Sequence, residues 1–332
     1  MSRNINGVNV AVVGGAGFLG SHLVDHLIND RNCSVLVIDN LCAGRREFIN
    51  PKATFKHGDI TGSEEYLVRL FRDMGIEYVF NYAAYPYVPD SFERPLHVFG
   101  VNAFGALKVI NAAQTAGCKA VLQVSSAEIY GHCHGSISEE DPVEPHSSYG
   151  ASKAAIDAMV QVRWRESKTP VISLRQFNCI GERDFMHPYV APEIIMQVYH
   201  NGLLHGKDSV NVYLGNNASR DFMYAGDAVR MATELLEVGE FGQVYNLGAE
   251  TTISVYELAR VIGALAKIEV NVVPDEKRMR PWEIWFLKSD NTKIYSTIQA
   301  RPTTDFDDAL RRTIKSIASM RYQLSWWKPT SV

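Results

Sequence analysis

The stretch VNVAVVGGAGFLGSHL, residues 8–23, decides how this chain folds. It opens on a short apolar run of the kind that forms a strand buried on both faces. The run breaks at once into GGAGFLGSHL, so strand, tight turn and helix follow one another. Gly14, Gly17 and Gly20 stand at the turn and in the first helical turns, with Phe18 and Leu19 between the last two. Missing side chains let a pyrophosphate approach the N–H groups at the helix start, and the last glycine lets helix and sheet pack closely. Glycines alone are a weak signal, and the next strand gives them weight. The second apolar run, 34–38, ends at Asp39 and Asn40, about 20 residues beyond the glycines, where a carboxylate can accept both hydroxyls of a ribose. That carboxylate repels a 2′-phosphate, so NAD is expected rather than NADP. Arg45 and Arg46 are the opposing signal, unless they are simply solvated residues of a polar loop.

The alternation continues outward. A third strand at 54–57 leads to Gly58, Asp59 and Ile60, where the Asp can hydrogen-bond an adenine amine or cap the next helix at 64–74. Residues 78–81 form a fourth strand, followed by Ala83 and Ala84, small enough for a dinucleotide to pass close by. Residues 99–116 carry apolar side chains at helical spacing and stop before Gly117. Asn102 within that helix either braces the loop before Tyr149 or lies on an exposed face. A fifth strand at 119–124 and a sixth at 170–175 complete the pattern. Five strand–helix alternations before residue 165 predict an α/β fold, a doubly wound parallel Rossmann sheet with right-handed crossovers. Beyond Gly181 the segments are mixed: helices at 192–200, 227–236 and 254–265, extended pieces at 210–213 and 268–273, and a strand at 242–247. The expected organisation is a cofactor domain over 1–180 with returning segments at about 218–250. The remaining 181–217 and 251–332 build mainly a smaller, discontinuous, C-terminal substrate-binding lobe.

The chemistry concentrates at 125–153. SSAEIYG, 125–131, follows the fifth strand, and YGASK, 149–153, opens a helix. Tyr149 and Lys153 at this spacing share a helical face, so the ammonium is expected to lower the phenol's pKa and make it a usable base. Ser126 can hold the oxygen of an alcohol while its carbon gives up hydride to a nicotinamide, whose ribose Lys153 can also hold. Glu128, two residues on along backbone expected to be extended, points to the same side as Ser126. A ketone makes its neighbouring C–H acidic, and a carboxylate is the base to remove it. A structural role for Glu128, accepting N–H groups of its own loop, is the alternative. Arg220 and Arg280, each in a polar loop, are candidates to hold a diphosphate bidentately or to form surface salt bridges.

The net charge of −4 disfavours a nucleic-acid partner. No apolar run approaches a membrane span, and the chain runs directly into its first strand, so a cytoplasmic protein is expected. Cys33, Cys42, Cys118, Cys133 and Cys179 lack paired spacing and read as free thiols. His132, Cys133 and His134 have the wrong spacing for a tetrahedral centre, so no metal is expected. Trp326 and Trp327 in the terminal QLSWWKPTSV suggest docking onto the chain's own surface or a subunit contact.

Together GGAGFLG, Asp39 with NL, GDI at 58–60, SSAEIYG, YGASK, RQFNCIGERD, SRDFMY with Asp227, YNLG at 245–248 and RPWE at 280–283 resemble the extended short-chain dehydrogenase/reductase family. Within it they are most similar to the nucleotide-sugar epimerase, dehydratase and decarboxylase branch, over nearly the whole chain. The resemblance implies tightly bound NAD or NADP, a nucleoside-diphosphate sugar beneath the C-terminal lobe, and a homodimer formed through two helices of the first domain. It implies Gly14, Gly17, Phe18, Leu19, Gly20, Asp39, Asn40, Asp59, Ile60, Ala83, Asn102, Tyr149 and Lys153 as cofactor residues. Ser126, Tyr149 and Lys153 become the catalytic triad, and Ser126, Asn178, Arg220 and Arg280 the substrate residues. The branch's 4-epimerases generally carry a small residue at the place of Glu128; its 4,6-dehydratases carry a glutamate and use it at C5, and its glucuronate decarboxylases carry one too. The chain departs from the usual patterns at Ser126 for Thr, Ala127 for Asp, Gln176 for Tyr and Glu182 for Pro. A 4,6-dehydratase is the expected activity, with a 4-epimerase next, a glucuronate decarboxylase third and a non-catalytic dinucleotide-binding protein last.

Overall fold

Asn9–Val13 (β1) lies at the middle of the main sheet with four of its five residues buried. Alternate side chains enter opposite cores, Val10 and Val12 on one face and Ala11 and Val13 on the other, which is why the strand reads as an unbroken apolar run. The computed structural model describes residues 3–185, 189–279 and 282–320.

Phe18–Asn29 (α1) follows the glycine turn, and the sheet extends on one side through Ser34–Asp39 (β2) and Thr54–His57 (β3). Glu64–Asp73 (α2) begins at Ser63, whose side chain accepts the Tyr66 N–H, so the capping role belongs to Ser63 and not to Asp59. On the other side of β1 lie Tyr78–Asn81 (β4), Ala120–Ser126 (β5) and Val171–Gln176 (β6). Between β4 and β5 run Asp90–Glu93 (α3), Pro95–Phe99 (α4), a π-helical turn at Gly100–Gly105 and Ala106–Ala116 (α5). The helix therefore starts four residues earlier than its apolar spacing suggests, with a proline in the first turn, where its missing N–H is harmless. Contrary to the expectation that no run approaches a membrane span, Pro95–Ala116 is 22 residues long and holds an 18-residue window of mean hydropathy 1.3. Half of it is buried inside the protein, with Val109, Ile110 and Ala113 packed in the core under the sheet, the setting of a layer helix.

Ser148–Ser167 (α6) crosses to β6, and the chain then enters a second lobe. Asn178–Ile180 (β7), Val190–Asn201 (α7), Ser209–Leu214 (β8), Ser219–Tyr224 (β9) and Ala225–Val238 (α8) precede a return to the main sheet as Val244–Leu247 (β10). Thr252–Ser254 (β11), Val255–Ala266 (α9), Glu269–Pro274 (β12), Thr292–Thr297 (α10) and Phe306–Met320 (α11) complete the described chain. The main sheet is ordered β10-β6-β5-β4-β1-β2-β3, with every pairing parallel. It is the doubly wound Rossmann arrangement expected. Two smaller sheets, β11-β9-β7 and β12-β8, stand beside it. The second lobe has its own core, in which Ile194, Ile195, Val212, Leu258 and Leu310 meet.

Strand order reverses between β1 and β4. In such sheets ligands bind at that point, outside the carboxyl ends of the strands. Parallel register brings Val13, Ile38 and Asn81 level and sets Ser126 beside Gln176, so the whole functional row lies on one edge.

Candidate active site

A cavity of about 1250 Å³ runs along this edge, from Asp39 and Asp59 past Ser126 and Tyr149 to Arg220 and Arg278 in the second lobe. At its first end Gly14 has φ +83°, and a Cβ there would lie 2.5 Å from the Ala83 nitrogen. A Cβ at Gly20 would lie 2.1 Å from the Gly14 carbonyl oxygen. Both positions therefore require glycine, and Gly17, Phe18 and Leu19 line the cavity beside them. The Asp39 carboxylate accepts the N–H groups of Ala16 at 2.9 Å and Leu41 at 2.8 Å. Burial raises its pKa against the pull of those bonds. A carboxylate has about four acceptor sites, so capacity for a ribose is left. Asn40 donates to Asp59 at 2.8 Å, and both line the cavity with Ile60 and Ala83. Burial pushes the Asp59 carboxyl up, but hydrogen bonds from Thr61 and Asn40 outweigh it and leave the pKa lowered.

Two alternatives left open by the sequence narrow here. Arg45 lies over the Phe185 ring and Arg46 over the Phe55 ring, and neither lines the cavity, so no 2′-phosphate clamp forms beside Asp39. Asn102 is fully buried and does not line the cavity either. Its amide ties the backbone of Tyr85, at 2.7 and 3.1 Å, to the Ser152 hydroxyl at 3.1 Å. It braces the loop at Tyr85 against α6, a bracing role of the kind the sequence allowed but on a different loop. The glycine turn, the Asp39 carboxylate and the long cavity fit a dinucleotide with a free 2′-hydroxyl.

At the centre, Ser126 ends β5 and its Oγ accepts the Glu128 N–H at 3.2 Å. That bond closes a 3-10 turn over Ala127–Ile129, which corrects the extended backbone expected there. Glu128 reaches the cavity all the same. It is half-buried, and no hydrogen bond or ion pair of its carboxylate is found among the described residues. The loop does not tie it down.

Burial pushes the Tyr149 phenol up to about 12 against the lowering influence of the neighbouring Ser126 hydroxyl, with the Glu128 charge adding to the rise. Burial also brings the Lys153 ammonium down to about 8. Lys153 Nζ lies 5.9 Å from the Tyr149 ring centre and donates to the Val124 carbonyl at 3.1 Å. Helical spacing brings the pair together as expected, but the expected fall in the phenol's pKa is absent. Desolvation penalises phenolate and ammonium alike, and here it is the largest influence on both.

On the lobe side, Asn178 lines the cavity at the start of β7. Arg220, on β9, is buried and donates to the Glu283 carboxylate at 2.8 Å, while Asn216 donates to the other oxygen at 2.6 Å. Arg220 is thus both a cavity residue and a salt-bridge partner, in a buried pair rather than a surface one. Arg280, Trp326 and Trp327 lie outside the described residues. The sequence reading missed Glu283, although it sits inside the RPWE motif, and missed Arg278 and Glu193, which pair at 2.7 Å on the cavity wall. It also missed Tyr82 and Asp184, which line the cavity as well.

The family model described as "NAD dependent epimerase/dehydratase family" matches residues 10–248. The dTDP-D-glucose 4,6-dehydratase of Mus musculus is 31% identical over 92% of this chain and 87% of its own length. The UDP-glucose 4-epimerase of Streptococcus mutans is 30% identical over 82% of this chain and 84% of its own. The solved dTDP-glucose 4,6-dehydratase of Streptomyces venezuelae, with NAD bound, is 28% identical and superimposes with a TM-score of 0.83, covering 97% of this chain and all of that one.

Proposed function

The chain belongs to the NAD dependent epimerase/dehydratase family, and from that premise we propose that it is a 4,6-dehydratase of a nucleoside-diphosphate hexose. Its cofactor is NAD, for which the glycine turn and Asp39 are built. The observation that carries the reading is Glu128, a cavity carboxylate that its own loop leaves untied.

When bound, NAD supplies the acceptor for hydride from sugar C4 and the donor that returns it at C6. Tyr149, beside Ser126, takes the proton of the C4 hydroxyl. The resulting C4 ketone acidifies C5–H, and Glu128 removes that proton. Ala127 is buried and offers no second acid, so Glu128 hands the proton to the departing C6 hydroxyl, which leaves as water. As hydride is returned at C6, a solvent proton taken up through Glu128 restores C5–H, and Tyr149 gives its own proton back to solvent. Arg220 and Asn178 hold the diphosphate end. The net change is loss of one water, with the cofactor restored.

A 4-epimerase is the second reading, and Ala127 favours it, because only one carboxylate stands where dehydration needs both a base and an acid. Incubation with a panel of nucleotide hexoses, followed by absorbance and mass, separates the two. A 4-keto product lighter by one water supports dehydration; a product of unchanged mass, altered only at C4, overturns it. We also infer a cytoplasmic homodimer. Leu96, 88% exposed, and Phe104, 63% exposed, lie about two turns apart on the helix Pro95–Ala116 and suit an apolar contact with a second copy.

A further inference from the structure

Among the described residues the most deeply buried ion pair joins Arg175 on β6 to Asp157 on α6, with the two side chains 4% and 3% exposed. Arg175 Nε and Nη2 both donate to Asp157 Oδ2, at 3.1 and 2.7 Å, and the Ser173 hydroxyl donates to the other oxygen. A buried pair of this kind adds little stability over apolar residues of the same volume, and its best-attested use is to fix one arrangement of the chain. Neither residue lines the cavity. The remaining guanidinium nitrogen shows which arrangement is fixed.

Arg175 Nη1 donates to the Tyr130 hydroxyl at 2.6 Å, and that hydroxyl donates to Asn246 Oδ1 at 2.7 Å. The same Nη1 reaches the Glu139 carbonyl at 3.2 Å, so every nitrogen of the guanidinium is engaged. Tyr130 in turn closes the 3-10 turn that carries Glu128, its N–H donating to the Ala127 carbonyl at 3.1 Å. Its ring is buried among Ala127, Ile129, Ile137 and Phe177. On the other side, Asp157 follows Lys153 along α6 as Lys153 follows Tyr149, each step being about one helical turn. A chain of contacts thus runs from the helix of Tyr149 through Asp157, Arg175 and Tyr130 to the turn of Glu128. The two also touch directly: a Cβ at Gly150 would lie 2.7 Å from the Glu128 carbonyl oxygen, so the turn rests on the start of α6.

Glu128 needs such support. Its carboxylate has no hydrogen bond or ion pair among the described residues, so its place in the cavity is set by its turn. C4 and C5 of a hexose are bonded neighbours, so Tyr149 and Glu128 have to meet adjacent carbons of one bound sugar. We propose that Arg175, Asp157 and Tyr130 are positioning residues that hold the Glu128 carboxylate in register with the Tyr149 phenol. Helix α6 is held along 20 residues, with Ile156 and Val160 packed in the core, whereas the turn is three residues long. Loss of the tie therefore displaces Glu128 and leaves Tyr149 where it was. The inference rests on the reading of Glu128 as the C5 base and extends it to residues outside the cavity.

Single turnovers of the full chain loaded with NAD test it, in D₂O with dTDP-glucose or UDP-glucose, whichever the wild type oxidises. Two variants are compared with the wild type: Tyr130→Phe, and Asp157→Leu combined with Arg175→Met. The first keeps the ring and loses only the hydroxyl; the second removes both charges together, so that neither is left buried alone. Absorbance of the reduced nicotinamide reads oxidation at C4, the step of Tyr149, and deuterium at C5, followed by mass, reads the step of Glu128. Oxidation at C4 should stay within about 2-fold of the wild type while deuterium appears about 10-fold more slowly or worse, because a displacement of about 1 Å costs up to about 100-fold. Reduced cofactor should accumulate in both variants. A role in folding alone would slow the two steps together. Equal slowing of both steps in Tyr130→Phe, or deuterium entering C5 at the wild-type rate in either variant, overturns the proposal. Urea unfolding shows whether the double variant is folded, and where it is not, Tyr130→Phe decides. A wild type that oxidises C4 and never places deuterium at C5 defeats the Glu128 reading itself and this assignment with it, a distinct outcome.

Discussion

The two ends of the cofactor groove are built on opposite electrostatic terms. At the adenine end, polar groups already have partners: Asp39 holds the N–H groups of Ala16 and Leu41, and Asn40, Thr61 and Asp59 hold one another. At the reacting end, the Tyr149 phenol is pushed up, the Lys153 ammonium is pushed down, Glu128 stands untied and Gln176 has an orphan oxygen. The first region is finished by folding alone, and its binding residues also stabilise the turn. The second carries unfavourable burial that serves the chemistry, the pattern expected where function and stability compete.

Removing the phenol should break the reacting end most severely. Tyr149→Phe keeps the fold and the adenine end, so it should retain NAD while turnover falls by about 100-fold or more, the scale of general acid–base catalysis. Near-normal turnover would identify a different base.

Lys153 sharpens the contrast by its effect on stability. In the folded chain it loses its proton near pH 8, against the usual 10.5 for a lysine. Between those values the unfolded chain binds more protons, so stability rises with pH across that window and the full penalty is present below it. The shift corresponds to about 3 kcal/mol. Lys153→Met forfeits the bond to Val124, worth about 1 kcal/mol, and should still stabilise the protein by roughly 2 kcal/mol at pH 7 while abolishing turnover. Urea unfolding at about pH 7 and again near the top of that window checks both points; a destabilised variant at neutral pH would mean that the lysine is held favourably.

A smaller effect is expected in the second lobe, where the Arg220 charge is already matched by Glu283. Glu283→Gln leaves Arg220 a polar partner but restores its net charge. Calorimetry with UDP should show binding tighter by roughly 3- to 10-fold, and weaker binding would show that Glu283 itself contacts the nucleotide.

The main sheet was legible because parallel strands buried on both faces appear as plain apolar runs. In the second lobe the two strands of the β12-β8 sheet were legible as apolar extended pieces, but the β11-β9-β7 sheet was not, since Asn178, Ser219, Arg220 and Asp221 sit on short strands with polar side chains. The early helix start was signalled by Pro95, a first-turn proline. The turn at Glu128 had its own mark, a serine two residues before, able to accept the later N–H. Spacing brought Tyr149 and Lys153 together but carries no measure of burial, and burial decides both of their pKa values.

Removal of the C5 proton by Glu128 is tested most directly by turning over the accepted nucleotide hexose in D₂O with wild type and Glu128→Gln and reading the product by mass and proton NMR. The wild type should yield a 4-keto product that has lost one water and carries solvent deuterium at C5. Glu128→Gln should oxidise C4 and stop there, with no exchange at C5. A wild-type product of unchanged mass without deuterium, or a Glu128→Gln enzyme that still releases water, would contradict that role.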